Sequence, residues 1–123
     1  MTGTAARLTA ADLTLADVEA LSAFIDTRLR TALARHLSGS DTWKGLLAAQ
    51  LVLQRDAKAA RAAYGRTENT PETEQDRFRS WNRLAVLALG WKNDAGFDGR
   101  WRPVAHPSPD GAAAYAILTG GRR

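Results

Sequence analysis

Six basic side chains alternate with aromatic ones in the last two-fifths of this sequence. An arginine guanidinium pairs well with phosphate, and an exposed aromatic ring stacks on an unpaired base. The pattern therefore predicts nucleic-acid binding as one function of the chain. The candidate binding residues are Arg77, Arg79, Arg83, Lys92, Arg100 and Arg102. The aromatic residues between them are Phe78, Trp81, Trp91 and Trp101.

The distribution of charge supports this hypothesis but also allows a simpler one. Residues 1–76 carry 9 basic and 10 acidic side chains, whereas residues 77–123 carry 8 basic and 3 acidic ones. Such asymmetry is typical of a surface that meets an anionic partner. However, 14 of the 17 basic residues are arginine, and a GC-rich coding sequence produces the same bias. On a helix, Phe78 and Trp81 would face the core and Arg79 and Arg83 the solvent, as in any amphipathic helix.

Metal-dependent and nucleophilic chemistry find no support in the sequence. A zinc or iron site needs three or four ligands at workable spacing. The chain has no cysteine, and its two histidines, His36 and His106, stand far apart. The turn-rich stretch 93–99 lacks the oxygen spacing of a calcium loop, and no nucleophile elbow or phosphate-binding loop is present. We therefore expect no catalytic residue, no metal, no cofactor and no small-molecule substrate, and hence no enzyme.

Composition places the chain among ordinary soluble proteins. Its 123 residues suffice for one domain, with 45% hydrophobic and 24% charged residues. The sequence shows no apolar leader at its start and no uninterrupted apolar run of membrane-spanning length. Without cysteine, disulfide staples are excluded. These features predict a cytoplasmic protein that does not enter a membrane.

Apolar residues recur at three- and four-residue intervals in three segments, which predicts three helices near 15–37, 42–64 and 71–89. The apolar stripe of the first extends from Val18 to His36. Capping residues precede the segments and glycines follow them. The predicted N-caps are Thr14, Asp41 and Thr70, and the predicted stops are Gly39, Gly65 and Gly90.

Short polar connections between such helices imply antiparallel packing. The sequence thus predicts an all-α fold, a three-helix antiparallel bundle whose irregular aromatic loop 91–103 folds back over one end. We divide the chain into a flexible N-terminus at 1–13, a helical domain at 14–103, and a tail at 104–123. A short fourth helix at 112–119 fits the apolar residues of that tail.

Two stretches are apolar on nearly every side of their helix, Leu46–Leu53 and Leu84–Leu89. Three antiparallel helices cannot bury that much surface, which favours self-association or a partner helix. The favoured function is therefore that of an accessory protein that binds a protein partner or forms a homodimer, with nucleic-acid binding as the alternative.

The end of the third helix and the loop after it carry a further signal. A Leu-Ala-rich helix end leads into Trp91, then Phe97, and then Trp101-Arg102-Pro103. This arrangement resembles the C-terminal signature of a family of small uncharacterised actinobacterial proteins. The chain departs from that signature where Asp94-Ala95 replaces the usual His-Pro. The resemblance implies a host lineage and a structural role for the three aromatic residues, but no activity, cofactor or partner.

Overall fold

Three helices account for most of the chain in the computed structural model, which describes residues 12–105 and residue 117. Helix α1 spans Leu15–Ala34, α2 spans Asp41–Tyr64 and α3 spans Pro71–Ala88, followed by a single 3-10 turn at Leu89–Trp91. No strand occurs among the described residues. Cross-helix bonds join residue 19 to residue 61 and residue 26 to residue 50, so α1 and α2 are antiparallel. The predicted all-α three-helix bundle is confirmed.

The helices begin where side chains can satisfy their free N–H groups. The Thr14 hydroxyl accepts a hydrogen bond from the Asp17 N–H, and the Asp17 carboxylate accepts one from the Thr14 N–H, forming a complete capping box. At α3 the Thr70 hydroxyl accepts a hydrogen bond from the Thr73 N–H, and Pro71 occupies the first helical position. The prediction for α2 was wrong by one residue, because Ser40 is the N-cap and Asp41 is the first residue of the helix.

Helix α1 ends three residues earlier than the sequence predicts. Arg35, not Gly39, is its C-cap, in a right-handed helical conformation. The reason is that the apolar stripe loses its packing surface, since His36 is exposed and Leu37 is 81% exposed. Gly39 does adopt a positive φ of 86°, but in the turn that leads to α2. Gly65 stops α2 as predicted.

The core forms where the three helices meet. Trp81 is its largest fully buried side chain, at 0% exposure. Alanines of α2 lie on the inner face of that helix and allow its neighbours to approach closely. The other core side chains from the helices are Val18, Leu21, Ile25, Leu29, Leu53, Ala57, Ala60, Phe78, Leu84, Ala85 and Ala88.

The segment after α3 folds back on the bundle, as predicted, but the prediction that it covers one end was wrong. It runs along α1, since Asp94 contacts Arg28 and Arg100 contacts Asp17 in the first turn of that helix. Phe97 and Trp101 both pack against Phe24 of α1, with ring centroids 5.8 and 4.9 Å from that ring. Leu13 and Val104, just outside the predicted domain limits of 14 and 103, are buried in the same core. The predicted fourth helix at 112–119 lies outside the described residues apart from the exposed Ile117, as does nearly all of the predicted flexible N-terminus.

Candidate functional site

Arg77, the first of the six predicted nucleic-acid-binding residues, makes hydrogen bonds within the protein that stabilise the fold. Its Nε donates to the carbonyl oxygen of Ala63 at 3.0 Å, near the C-terminal end of α2. One terminal nitrogen donates to Asn69 Oδ1 at 2.8 Å, and the other to the carbonyl oxygen of Arg66 at 2.7 Å. The guanidinium also lies over the ring of Tyr64. It therefore holds the α2–α3 loop against α3 and has little capacity left for phosphate.

Arg100 is likewise a structural residue. Its Nη2 donates to Asp17 Oδ2 at 3.1 Å and to the carbonyl oxygen of Asp12 at 3.3 Å. Burial disfavours the charged form of Asp17, but hydrogen bonds from Thr14 and Arg100 outweigh burial and hold the pKa of this carboxyl below its ordinary value. Arg100 thus fastens the irregular segment to the start of α1.

The other four predicted residues, Arg79, Arg83, Lys92 and Arg102, have exposed side chains. The structure brings only Arg79 and Arg83 together, one helical turn apart on the outer face of α3. Lys92 follows the C-terminal end of α3, at the opposite end of the bundle from the loop that Arg77 holds. The six predicted residues therefore do not form one continuous surface.

The aromatic residues of the predicted surface face inward. Trp81 and Phe78 are buried on the core side of α3, as the helical pattern predicts, and Trp101 is only 7% exposed. Trp91 is half-buried and packs against the core. A ring must stand free of the protein to stack on a base. The alternation in the sequence thus reflects aromatic side chains that pack in the core and basic side chains that lie at its solvent-exposed edge.

A row of apolar side chains lies on the outer side of α2. Trp43, Leu47 and Leu51 follow each other at intervals of four residues and form a row that we call the α2 ridge. Leu51 is 58% exposed, while Trp43 and Leu47 are half-buried. Other residues of α2 occupy its inner face and fill the core. The three side chains of the ridge lie on a different side of the helix and do not enter the core. The exposed Leu37 precedes α2 at the same end of the bundle.

Three basic side chains flank the α2 ridge, namely Lys44, Arg55 and Lys58, and all three are exposed. Arg55 contacts its neighbour Asp56, whose side chain is buried, at 3.4 Å. Summing charge along segments of the sequence hides these residues, because residues 1–76 are nearly neutral. Plotting α2 around its helical axis would have found them, since residues 44 and 55 are separated by three turns and lie on one side.

Most of the second stretch predicted to be apolar on nearly every side, Leu84–Leu89, is buried within the bundle. Leu84, Ala85 and Ala88 are buried, and Leu87 and Leu89 are half-buried. Only Val86 in this stretch is exposed, at 37%. In the first stretch Leu53 is buried and Leu46 packs against the core, whereas Leu51 is more exposed than Val86.

A groove of about 440 Å³ runs between α1 and α2. Two cross-helix bonds frame it, from Arg61 to Glu19 at 2.7 Å and from Gln50 to Asp26 at 2.9 Å. Between these bonds lies Ser22, whose buried hydroxyl has no hydrogen-bond partner among the described residues. Both carboxylates of the groove are engaged. The hydrogen bond from Gln50 lowers the pKa of Asp26, partly opposed by burial and assisted by Arg30.

Two other site types were sought within the described residues. No group of three or more histidine, cysteine, aspartate or glutamate side chains is arranged there to hold a metal ion. Each helix in that part of the chain is too short or too polar to span a lipid bilayer.

Comparisons with known proteins find no family model that matches this chain, no similar curated protein and no similar solved structure. The resemblance of Trp91, Phe97 and Trp101-Arg102-Pro103 to small actinobacterial proteins therefore stays a prediction. The packing of Phe97 and Trp101 against Phe24 agrees with the structural role that the resemblance implies for them.

Proposed function

We propose that this chain is a non-enzymatic accessory protein that binds another protein chain through the α2 ridge. The observation that carries the proposal is the exposure of Leu51, 58% in the middle of a helix whose other face is packed. A row of apolar side chains at intervals of four is the surface with which one helix packs on another. A single exposed leucine needs no explanation, but Leu51 is continuous with Leu47 and Trp43.

The non-enzymatic part of the proposal is supported by the α1–α2 groove, where both carboxylates are already engaged by neighbouring side chains. Asp26 accepts hydrogen bonds from both Gln50 and Arg30, and its lowered pKa keeps it ionised, so it is a poor proton donor. Glu19 is paired with Arg61. No cofactor or small-molecule substrate is required for this function, and we place it in the cytoplasm.

A photoreactive phenylalanine analogue at position 51 tests the proposal in the cells that make the protein. The same analogue at position 83, on the exposed face of α3, serves as the control. We expect irradiation to produce a protein adduct from position 51 and none from position 83. If position 51 gives no adduct beyond the control, the α2 ridge is not a binding surface and the proposal fails.

Nucleic-acid binding is the second candidate, because Arg79, Arg83, Lys92 and Arg102 are exposed. Arg77 must stay intact in any test, since it holds the α2–α3 loop. Two or three phosphate contacts would give a slope of roughly −2 to −3 in log K against log salt on duplex DNA. The combined variant Arg79→Gln, Arg83→Gln and Lys92→Gln should flatten that slope. Absence of binding to DNA and RNA at low salt would eliminate this candidate.

A further inference from the structure

The chemistry of the partner follows from the charges beside the α2 ridge. We propose that the ridge receives an acidic amphipathic helix of a different protein, an inference that rests on the proposed function.

The shape of the ridge selects a helix. Trp43, Leu47 and Leu51 form one of the four-residue rows that pack into the grooves of a second helix. The row is about 12 Å long at a rise of 1.5 Å per residue, which corresponds to roughly two turns of a partner helix. The apolar anchors of such a partner would recur at three- and four-residue intervals.

The charge beside the ridge selects acidic side chains. Lys44 lies next to the start of the ridge, and Arg55 and Lys58 lie beyond its end. Two acidic residues of α2 offset part of this charge, since Asp56 contacts Arg55 at 3.4 Å and Asp41 stands one helical turn before Lys44. Three basic side chains against these two carboxylates still leave the surroundings of the ridge net positive. Glutamates flanking the apolar anchors of a partner helix would meet all three cations. A second copy of this chain would instead place its own cations there, and like charges oppose such contact.

A lipid surface and a nucleic acid fit the ridge less well. Helices that bind membranes insert their widest apolar face, whereas that face of α2 forms the bundle core through Leu53, Ala57 and Ala60. The phosphate backbone of a nucleic acid would pair with the basic side chains but would make no apolar contact with Leu47 and Leu51.

Synthetic helices test the inference directly. Three labelled 21-residue peptides share leucines at helical spacing and differ only in their flanking residues, which are glutamate, glutamine or lysine. Fluorescence anisotropy measures their binding to the full chain. We expect the glutamate peptide to bind about tenfold more tightly than the glutamine peptide, the sum of three exposed ion pairs. The lysine peptide should bind most weakly, because its charges repel the three cations. Raising the salt concentration should reduce this preference.

Two matched triple variants locate the effect, with circular dichroism confirming that each retains its helicity. Lys44→Gln, Arg55→Gln and Lys58→Gln together should abolish the preference for the glutamate peptide. Arg79→Gln, Arg83→Gln and Lys92→Gln remove the same charge from α3 and the segment just after it, and should leave the preference unchanged. Leu51→Asp should weaken the binding of the glutamate and glutamine peptides.

The outcomes separate this inference from the proposed function. Equal binding of the three peptides, still dependent on Leu51, would overturn the acidic partner while leaving the ridge as a protein-binding surface. Failure of the glutamate peptide to bind at low salt would also overturn it, and the photo-crosslink at position 51 then decides the proposed function alone. A dimer by light scattering that Leu51→Asp dissociates would replace the acidic helix by a second copy. Tighter binding of anionic vesicles or duplex DNA through Lys44, Arg55 and Lys58 would overturn it as well.

Discussion

The side-chain amide of Asn82 forms a two-way clamp on the backbone of Val104. Its Nδ2 donates to the Val104 carbonyl oxygen at 2.9 Å, and its Oδ1 accepts a hydrogen bond from the Val104 N–H at 2.8 Å. Both residues are buried. Next to this clamp, Trp81 Nε1 donates to the carbonyl oxygen of Arg102 at 2.9 Å. Two consecutive residues of α3 thus fix the irregular segment that covers the core.

Asn82→Ala should lower the free energy of unfolding by about 2–4 kcal/mol, because it leaves two buried backbone groups of Val104 without partners. Chemical denaturation measures the change, and hydrogen exchange should show loss of protection at the Val104 N–H. Asn93→Ala, at an exposed position, is the control and should cost under about 0.5 kcal/mol. An equally small effect at Asn82 would show that the clamp contributes nothing.

Trp81→Ala should cost about 3–5 kcal/mol, the range for removing a large buried aromatic side chain. Trp81 is fully buried and also anchors Arg102. Trp43→Ala is the matched control, since Trp43 is half-buried and belongs to the α2 ridge. We expect its cost to be clearly smaller. If Trp81→Ala cost less than about 1 kcal/mol, the assignment of this ring to the core would be wrong.

The sequence predicted the helices well because their signals are local. The capping box of Thr14 and Asp17 and the Thr70-Pro71 start involve residues three or fewer positions apart. The burial of Phe78 and Trp81 followed from helical periodicity. The early end of α1 was missed because it depends on whether His36 and Leu37 find a tertiary surface to cover them.

The roles of the arginines could not be predicted, for a related reason. In the sequence, Arg77 and Arg100 have the same residue type as Arg79 and similar basic and aromatic neighbours. They differ in their tertiary contacts. Arg77 donates to carbonyl oxygens of the α2–α3 loop, and Arg100 donates to the carboxylate of Asp17, which is 83 residues away in the chain. A periodicity argument shows which side of a helix a residue occupies, but not whether a distant loop lies there.

Arg77→Ala should therefore destabilise the fold by about 1–3 kcal/mol, a range that allows for the partial exposure of its bonds. Arg77→Lys should restore little, because an ammonium group cannot reproduce the planar fork that reaches Ala63, Asn69 and Arg66 together. Arg79→Ala, two residues away and exposed, should change stability by less than about 0.5 kcal/mol. Thermal unfolding of the three variants provides the comparison, and equal effects of Arg77→Ala and Arg79→Ala would contradict it.

Ser22 and Ser80 form a natural pair of buried helical serines with opposite environments. The Ser80 hydroxyl donates to the Asp76 carbonyl oxygen at 2.7 Å, whereas the Ser22 hydroxyl has no partner among the described residues. Alanine is the better helix former by roughly 0.5 kcal/mol at either position. Ser22→Ala should also relieve an unsatisfied buried hydroxyl and stabilise the protein by about 1 kcal/mol or more. Ser80→Ala loses a hydrogen bond and should leave the free energy of unfolding nearly unchanged. If only Ser80→Ala stabilised the protein, the predicted difference between the two serines would be wrong.

Acid should weaken the link between α1 and α2 through Asp26. The hydrogen bond from Gln50 is the largest cause of its lowered pKa, burial partly opposes it, and Arg30 lowers the pKa further. Because the folded protein holds this carboxyl below its ordinary value of 3.8, the stabilisation is present above that value. It is lost as the pH falls through the folded pKa.

NMR titration of the side-chain carboxyl carbons can rank these causes. Gln50→Met keeps an unbranched side chain of similar size but removes the donor, so the pKa of Asp26 should rise toward 3.8. Arg30→Gln removes two smaller causes together, a hydrogen bond and a coulombic attraction from an exposed side chain, and should also raise the pKa of Asp26. Asp26→Asn should reduce the dependence of unfolding free energy on pH below about 4, since a neutral amide cannot titrate there. A larger shift from Arg30→Gln than from Gln50→Met would mean that the ion pair along α1, and not the contact across to α2, stabilises the charged form.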